Sequence, residues 1–535
     1  MKPLSATGVI VASAAWVVAW FPSLLPSGSL FQGVTCGVLA ALGYAMGTAV
    51  AAIVRLVRGT ARRRRGHAAP AAASTAPGGP GQAGAVGRSA TPRWYALAAG
   101  LTALGAVLAG LRLDVWEAAQ AADIGAPEFA ARWAVASTVG LVTSGLLIML
   151  GRALRRLTRA VAAMIRRRQM TWLPPGQASP LAAAAVTLVC LGLLAGAVTA
   201  TTMAFDRIDA QTTAQAPPTS STRSGSPASL IAWDTLGKQG RDFVGQGTDP
   251  ATIRAFAGLA SAPDPQARAD LAVQDMLRAG GAEAEVWIGV TTTGNGFIDP
   301  VAAQTAETAV AATGGRAALV AIQYSTLPSW ISFLVDQSAA QQAGIALYES
   351  LAATREAQPP GQRPKLVLYG ESLGAFGSPA PFAGLDPAEV AERIDGALWV
   401  GPPAATNPIT EWTYSGSAPV WQPVLDDGRV ARYAASDAAT ADPPPAAAPW
   451  PNPRILVLQN PTDPVVWFAP GLLWREPAWL ADPRGPGVTP QTRWTPVLFF
   501  FQVALDLPQA VSYPSGYGHN YADALPAAWQ QILAP

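Results

Sequence analysis

Five apolar runs near membrane-spanning length, separated by arginine clusters, occupy the first two hundred residues and set the tightest limit on how this chain folds. A helix needs about 20 mostly apolar residues to cross a bilayer core. The runs at 7–25, 31–54, 94–111, 133–150 and 181–203 meet or approach that length. Pro22 interrupts the end of the first, whose alternative reading is a signal peptide with Lys2 as its positive region. Arginines 55, 58 and 62–65 follow the second run, and Arg152, Arg155, Arg156, Arg159, Arg166, Arg167 and Arg168 follow the fourth. The loop after the third run carries Asp114, Glu117, Asp123 and Glu128 instead. Loops rich in Lys and Arg stay cytoplasmic. Both arginine loops are therefore expected inside, the acidic loop outside, and everything after Met203 outside. The expected location is a multi-pass protein of the cell membrane with its second half extracytoplasmic and the lipid bilayer as its first partner.

Composition supports this division. Charged residues make up 13% of the 535, against about 25% in ordinary soluble chains, and the deficit lies in the apolar half. Net charge is only +2, and the basic clusters flank apolar runs, so no nucleic-acid partner is expected. Cys36 and Cys190 both lie in apolar runs, so the second half folds without disulfides. Two histidines, His67 and His519, and no His/Cys cluster leave no basis for a metal site, and no cofactor is expected. Residues 58–93, with the low-complexity stretch 66–92 at their centre, read as a disordered cytoplasmic loop that holds His67 in no fixed geometry. The expected domains are a transmembrane region at 1–205, a polar external tether at 206–228 and a globular domain at 229–535.

In that last domain, short apolar stretches rich in β-branched and aromatic residues predict strands at 285–290, 318–323, 365–369, 396–400 and 454–459. Helical patterns lie between them at 301–312, 338–354 and from Ser372, the first preceded by an Asp299-Pro300 start signal. Alternation of this kind predicts an α/β fold, a mostly parallel sheet with helices on both faces. The strand at 365–369 runs into Gly370-Glu371-Ser372-Leu373-Gly374. A serine hydroxyl is a weak nucleophile, so it must stand exposed on a sharp turn within reach of a base, and Gly-x-Ser-x-Gly after a strand makes that turn. His519, between Gly518 and Asn520, is the one histidine outside the cytoplasmic loop and the expected base. Asp463 follows the last strand and is the expected acid that orients it, with Glu411 the second choice. The Leu373 amide is the expected first oxyanion donor, with Thr292 or Gly294 in the loop after an earlier strand as the second.

The Gly370–Gly374 elbow, the Asp463 loop and the Gly518-His519-Asn520-Tyr521 ending resemble α/β-hydrolases. With the stretches 323–330 and 398–403, the chain is similar over nearly its whole length to a family of actinobacterial membrane proteins. These join an amino-terminal helical region to an α/β-hydrolase domain. The resemblance implies the fold, the triad and membrane anchoring, and no particular substrate.

The segment 402–453 is far longer than a usual connection and is expected to hold a cap-like insertion. Trp467, Phe468, Leu472, Leu473, Trp474 and Trp479 follow the acid and suggest an apolar wall, with Trp467, Phe468 and Trp474 as candidate substrate contacts. Core packing is the plainer account of most of them. The expected activity is that of a serine esterase acting on a lipid or acyl ester. An acyltransferase with the same acyl-enzyme, and a non-catalytic envelope protein that kept the fold, are the alternatives. A transporter is disfavoured because the spans carry no internal acidic residue.

Overall fold

A computed structural model of the chain describes residues 4–66, 91–123, 132–167, 178–210 and 215–534, apart from 248, 336, 418 and 482. The expected cytoplasmic loop around His67, the acidic Glu128 and Arg168 lie outside the described residues. The chain divides into two compact units.

The first unit spans Met1–Thr187 together with Val497–Gln502. Its helices are α1 (Ala6–Val18), α2 (Ser29–Gly66), α3 (Thr91–Asp123), α4 (Arg132–Arg167) and the start of α5 (Ala178–Ala210). Four of them, α2 to α5, are long and apolar enough to cross a membrane. The first is not: at 13 residues it falls short of the ~20 that a bilayer core requires, because the chain leaves the helix just before Pro22. Its last carbonyls are capped by side-chain amides, with Gln32 donating to the Ala19 carbonyl at 2.7 Å and Gln502 to those of Val18 and Phe21 at 3.1 and 3.0 Å. At Gly33 and Gly37 the backbone of α2 comes so close to α4 that an added Cβ would meet Val139 or Thr143 within 2.6 Å, the small-residue packing that helices use in lipid. Glu117, expected in an exposed outer loop, lies within α3 and is buried. It pairs with Arg132 at 2.8 Å and accepts the Ser27 amide at 2.6 Å. The expectation that the apolar helices hold no acidic residue is corrected on this point.

The second unit, Leu188–Pro496 with Val503–Pro535, is built on a seven-stranded, wholly parallel sheet. The strands are β1 (Ile253–Ala257), β2 (Val286–Thr291), β3 (Ala317–Ile322), β4 (Lys365–Glu371), β5 (Gly396–Val400), β6 (Ala431–Ala434) and β7 (Arg454–Leu458), in the spatial order β1-β3-β2-β4-β5-β7-β6. Helices cover both faces, so the strands are buried almost throughout. Asp299 caps the helix Pro300–Ala312 through the Val301 amide at 2.6 Å, as its sequence predicts.

All five expected strands form within a residue or two, whereas β1 and β6, the two edges, carry no legible signal. Each holds a buried arginine that breaks its apolar run. Arg254 in β1 pairs with Glu307 at 2.6 Å and donates to the Phe243 carbonyl at 2.7 Å. Arg432 in β6 donates to the carbonyls of Gly428, Pro443 and Ala448 at 2.8, 3.0 and 2.9 Å. Part of the long segment 402–453 is thereby built into the sheet as β6.

The expected tether at 206–228 is also corrected. Its first residues extend α5, where Asp209 accepts from the Gln323 amide at 3.1 Å. Arg223, Ser224 and Ser226 are buried: Arg223 bridges to Arg254 of β1, and the Ser224 hydroxyl donates to Asp275 at 2.6 Å and accepts from the Phe256 amide at 3.0 Å. The polar composition that reads as solvated chain instead satisfies the open edge of the sheet.

Removing one partner of a buried pair strands the other charge, at a cost of about 3–5 kcal/mol, whereas replacing both with apolar groups is often neutral. Glu307→Gln is expected to lower the unfolding temperature of the detergent-solubilised chain markedly, and Arg254→Met with Glu307→Leu to recover most of the loss. Thermal unfolding of the two variants side by side checks this.

Candidate active site

The central strand β4 ends at Glu371, and a helix begins at Leu373, so the whole reversal falls on Ser372. Its φ of 54° and ψ of −123° put a non-glycine residue in a sparsely populated region, at a cost of about 1–3 kcal/mol. The conformation is held from both sides. The Ser372 amide donates to the Val400 carbonyl at 2.8 Å, carrying the β4–β5 pairing through the turn. Behind it, an added Cβ on Gly374 would stand 2.2 Å from the Thr291 carbonyl oxygen. Only glycine allows that approach of helix to β2.

Asp463 follows β7 and is fully buried. Its Oδ1 accepts the Val465 amide at 2.8 Å, and its Oδ2 accepts both His519 Nδ1 at 2.6 Å and the Tyr521 hydroxyl at 2.7 Å. A carboxylate is an acceptor only, so the proton on this side of the ring sits on Nδ1. The loop carrying the histidine is locked to the loop carrying the aspartate. Asn460 Nδ2 donates to the Gly518 carbonyl, the Gly518 amide to Thr462 Oγ1, both at 2.9 Å, and the Asn460 amide to the Tyr521 hydroxyl at 3.0 Å. The other ring nitrogen, Nε2, is buried and has no hydrogen-bond partner among the described residues. His519 and Ser372 line the same cavity of about 430 Å³.

Burial pulls the imidazole pKa down. The Asp463 charge and hydrogen bond, with Glu371 behind them, outweigh it, and His519 sits above its ordinary 6.5. Glu371 lines the same cavity and accepts from the Tyr369 hydroxyl at 3.0 Å. Burial and then the Asp299 charge push its carboxyl up to about 7, against the opposing pull of His519 and the Tyr369 bond.

The other expected residues fall as follows. Leu373 is the first residue of its helix, so its amide has no intrahelical acceptor, and it lines the cavity. The Thr292 hydroxyl donates to the Ile322 carbonyl at 3.0 Å, and the Gly294 amide is engaged by Ser329 Oγ at 3.1 Å; of that loop it is Thr293 that borders the cavity. Glu411 is exposed on the helix Ile409–Ser415. Trp467, Phe468 and Trp474 do not line the Ser372 cavity. Trp467 faces a second cavity, its indole fixed to the Asn460 carbonyl at 3.1 Å, and Trp474 is exposed. The wall near Ser372 comes instead from Phe297, Phe333, Val465 and the stretch from Ala504 to Val511.

Three residues beside the chemistry were not singled out from sequence: Glu371, Tyr521 and Gly401. An added Cβ on Gly401, at φ +55°, would lie 2.4 Å from His519 Cε1. Its position directly after a central strand was the available signal.

No metal-binding group of His, Cys, Asp or Glu occurs among the described residues.

Since the folded pKa of His519 is raised, its ion pair with Asp463 contributes stability in full below 6.5 and loses it as pH rises through the folded value. With two histidines in the chain, histidine-selective nitrogen labelling is expected to give one resonance titrating above 6.5, moved down by Asp463→Asn. An unmoved titration in that variant overturns the pairing.

Residues 253–535 match the model of an α/β-hydrolase family, and residues 21–248 match the model of that family's amino-terminal region. The junction of the two matches falls just before β1. Neither the curated proteins nor the solved structures give a match. The chain belongs to this α/β-hydrolase family.

Proposed function

From that membership as premise, we propose that the protein is a membrane-anchored serine hydrolase that cleaves a lipid or acyl ester on the extracytoplasmic side. One observation carries this reading. His519 is oriented through Nδ1 by a buried carboxylate, its Nε2 has no hydrogen-bond partner among the described residues, and His519 and the strained Ser372 line one cavity.

In the proposed reaction Ser372 Oγ attacks the ester carbonyl as His519 Nε2 takes the hydroxyl proton. Asp463 holds the ring and stabilises the imidazolium without taking the proton itself. The oxyanion is met by the Leu373 amide and by a second donor from the 292–293 turn other than the Thr293 amide, which donates to the Phe297 carbonyl at 3.0 Å, just as the Gly294 amide is engaged by Ser329 Oγ. Collapse breaks the acyl–oxygen bond, and His519 returns its proton to the departing alcohol. Water, deprotonated by the same nitrogen, then releases the acid and restores Ser372. An apolar alcohol acting in place of water would make the reaction an acyl transfer.

The substrate class follows from the walls. Phe297, Phe333, Leu373, Val465 and Leu507 surround the serine, as an acyl chain requires, and the volume lies within the ~300–1,000 Å³ typical of ligand pockets. Sidedness rests on the arginines at the ends of α2 and α4. Counted from them, α5 leaves the cytoplasm whether or not the short α1 crosses.

Wild type in intact cells is expected to label with an impermeant fluorophosphonate, Ser372→Ala not at all, and Asp463→Asn to lose activity by about 10⁴-fold. Folded wild type that fails to label in detergent sinks the catalytic reading. Activity needs a neutral Nε2, so kcat/KM is expected to fall as pH drops through a value above 6.5. Glu371→Gln removes a charge that raises His519, so the acid limb of the profile is expected to move to lower pH.

A further inference from the structure

Beside the Ser372 cavity lies a second one of about 520 Å³. Only a thin partition divides them. Pro403 borders both, Val465 faces the first and Val466 the second, and the Ala404 amide ties the two loops by donating to the Val465 carbonyl at 3.3 Å. Ile409, Leu472, Trp467 and Trp479 are each no more than 3% exposed and form its interior, with the two indoles 5.6 Å apart.

Thr410 and the exposed Tyr414 add hydroxyls to the lining, while its buried polar side chains, Thr413 and Gln459, are already engaged. The Thr413 hydroxyl donates to the Ile409 carbonyl at 2.8 Å, and the Gln459 amide to the Val420 and Trp421 carbonyls at 3.4 and 3.1 Å. A buried interior whose polar side chains are engaged from within offers little to a sugar or peptide and suits a hydrocarbon chain. Charge appears only on exposed lining residues, Arg475 and Glu476. The tryptophan-rich stretch after Asp463, which misses the Ser372 cavity, supplies much of this one.

We infer that the second cavity binds the alcohol-side alkyl chain of the substrate while the acyl chain occupies the Ser372 cavity, so that the ester cleaved is one with two long apolar arms. This rests on the esterase reading above. It also explains why two cavities of similar volume meet at one loop, and why Trp467, on the second wall, is bonded to Asn460, which holds the histidine loop.

The test compares hexadecyl butyrate with ethyl butyrate, which differ only in the alcohol arm, on the full chain in detergent. Wild type is expected to prefer the hexadecyl ester. Ala478→Trp, which fills the cavity at an exposed wall, is expected to cut the ratio of the two kcat/KM values by about tenfold, the burial of roughly two methylene groups. Thr410→Trp, on a different segment of the lining, is read in the same way, and only protein that still labels with fluorophosphonate is compared. A ratio equal to wild type in both labelled variants overturns the inference. So does a loss confined to ethyl palmitate relative to ethyl butyrate, which would put the acyl arm there instead. Wild type that neither labels nor cleaves any of these esters removes the esterase reading itself.

Discussion

The approach of the Gly374 backbone to the Thr291 carbonyl is the contact on which the α/β half depends. With no Cβ between them, the helix after β4 lies directly against the end of β2, and Ser372 has nowhere to go but the left-handed region. The sheet supplies the opposing hold through the Ser372–Val400 hydrogen bond. A strain of about 1–3 kcal/mol persists because it is set against a core of fully buried strands, Trp287 and Trp399 among them. Because every strand is parallel, the elbow after β4, Gly401 after β5 and Asp463 after β7 all emerge at the same sheet end. Residues far apart in sequence become neighbours without any special loop.

Buried charge recurs through both units, and its logic is the same each time. Glu117 with Arg132, Arg254 with Glu307, and Arg432 with its ring of carbonyls are taken out of water where each guanidinium meets acceptors. The Asp463 carboxylate follows this rule at the site itself, where three donors share two oxygens. Such pairs add little net stability against an apolar alternative, but each makes the wrong packing expensive. At the sheet edges they tie β1 to Glu307 and β6 to the carbonyls of the loops around it. At the site the same arrangement fixes the histidine ring.

Much of this was legible from the chain alone. The five inner strands, the turn at Ser372 and the order Ser372, Asp463, His519 follow from local patterns: apolar runs, a glycine-flanked serine, an aspartate after a strand, a single usable histidine. The edges were not legible, since a lone arginine inside a five- or four-residue strand looks like surface until its partner is known. The residues around 223 read as solvated linker for the same reason. The tryptophans after Asp463 announced an apolar wall, but not which of two cavities it belongs to, because the two face opposite sides of one loop.

Sequence by itself determined the division into an apolar, arginine-punctuated half and a parallel α/β half, because both rest on periodicity and composition over tens of residues. It also singled out the sharp turn at Ser372, because a tight strand-to-helix turn leaves a glycine signature. Only the tertiary structure decided that Tyr521 and Gly401 belong to the histidine's surroundings, that Gly294 has its amide engaged, that Glu371 is held near neutrality and that a second chamber adjoins the first. Each of these depends on contacts between segments tens to more than a hundred residues apart, where burial and distance set the energies and no local pattern records them.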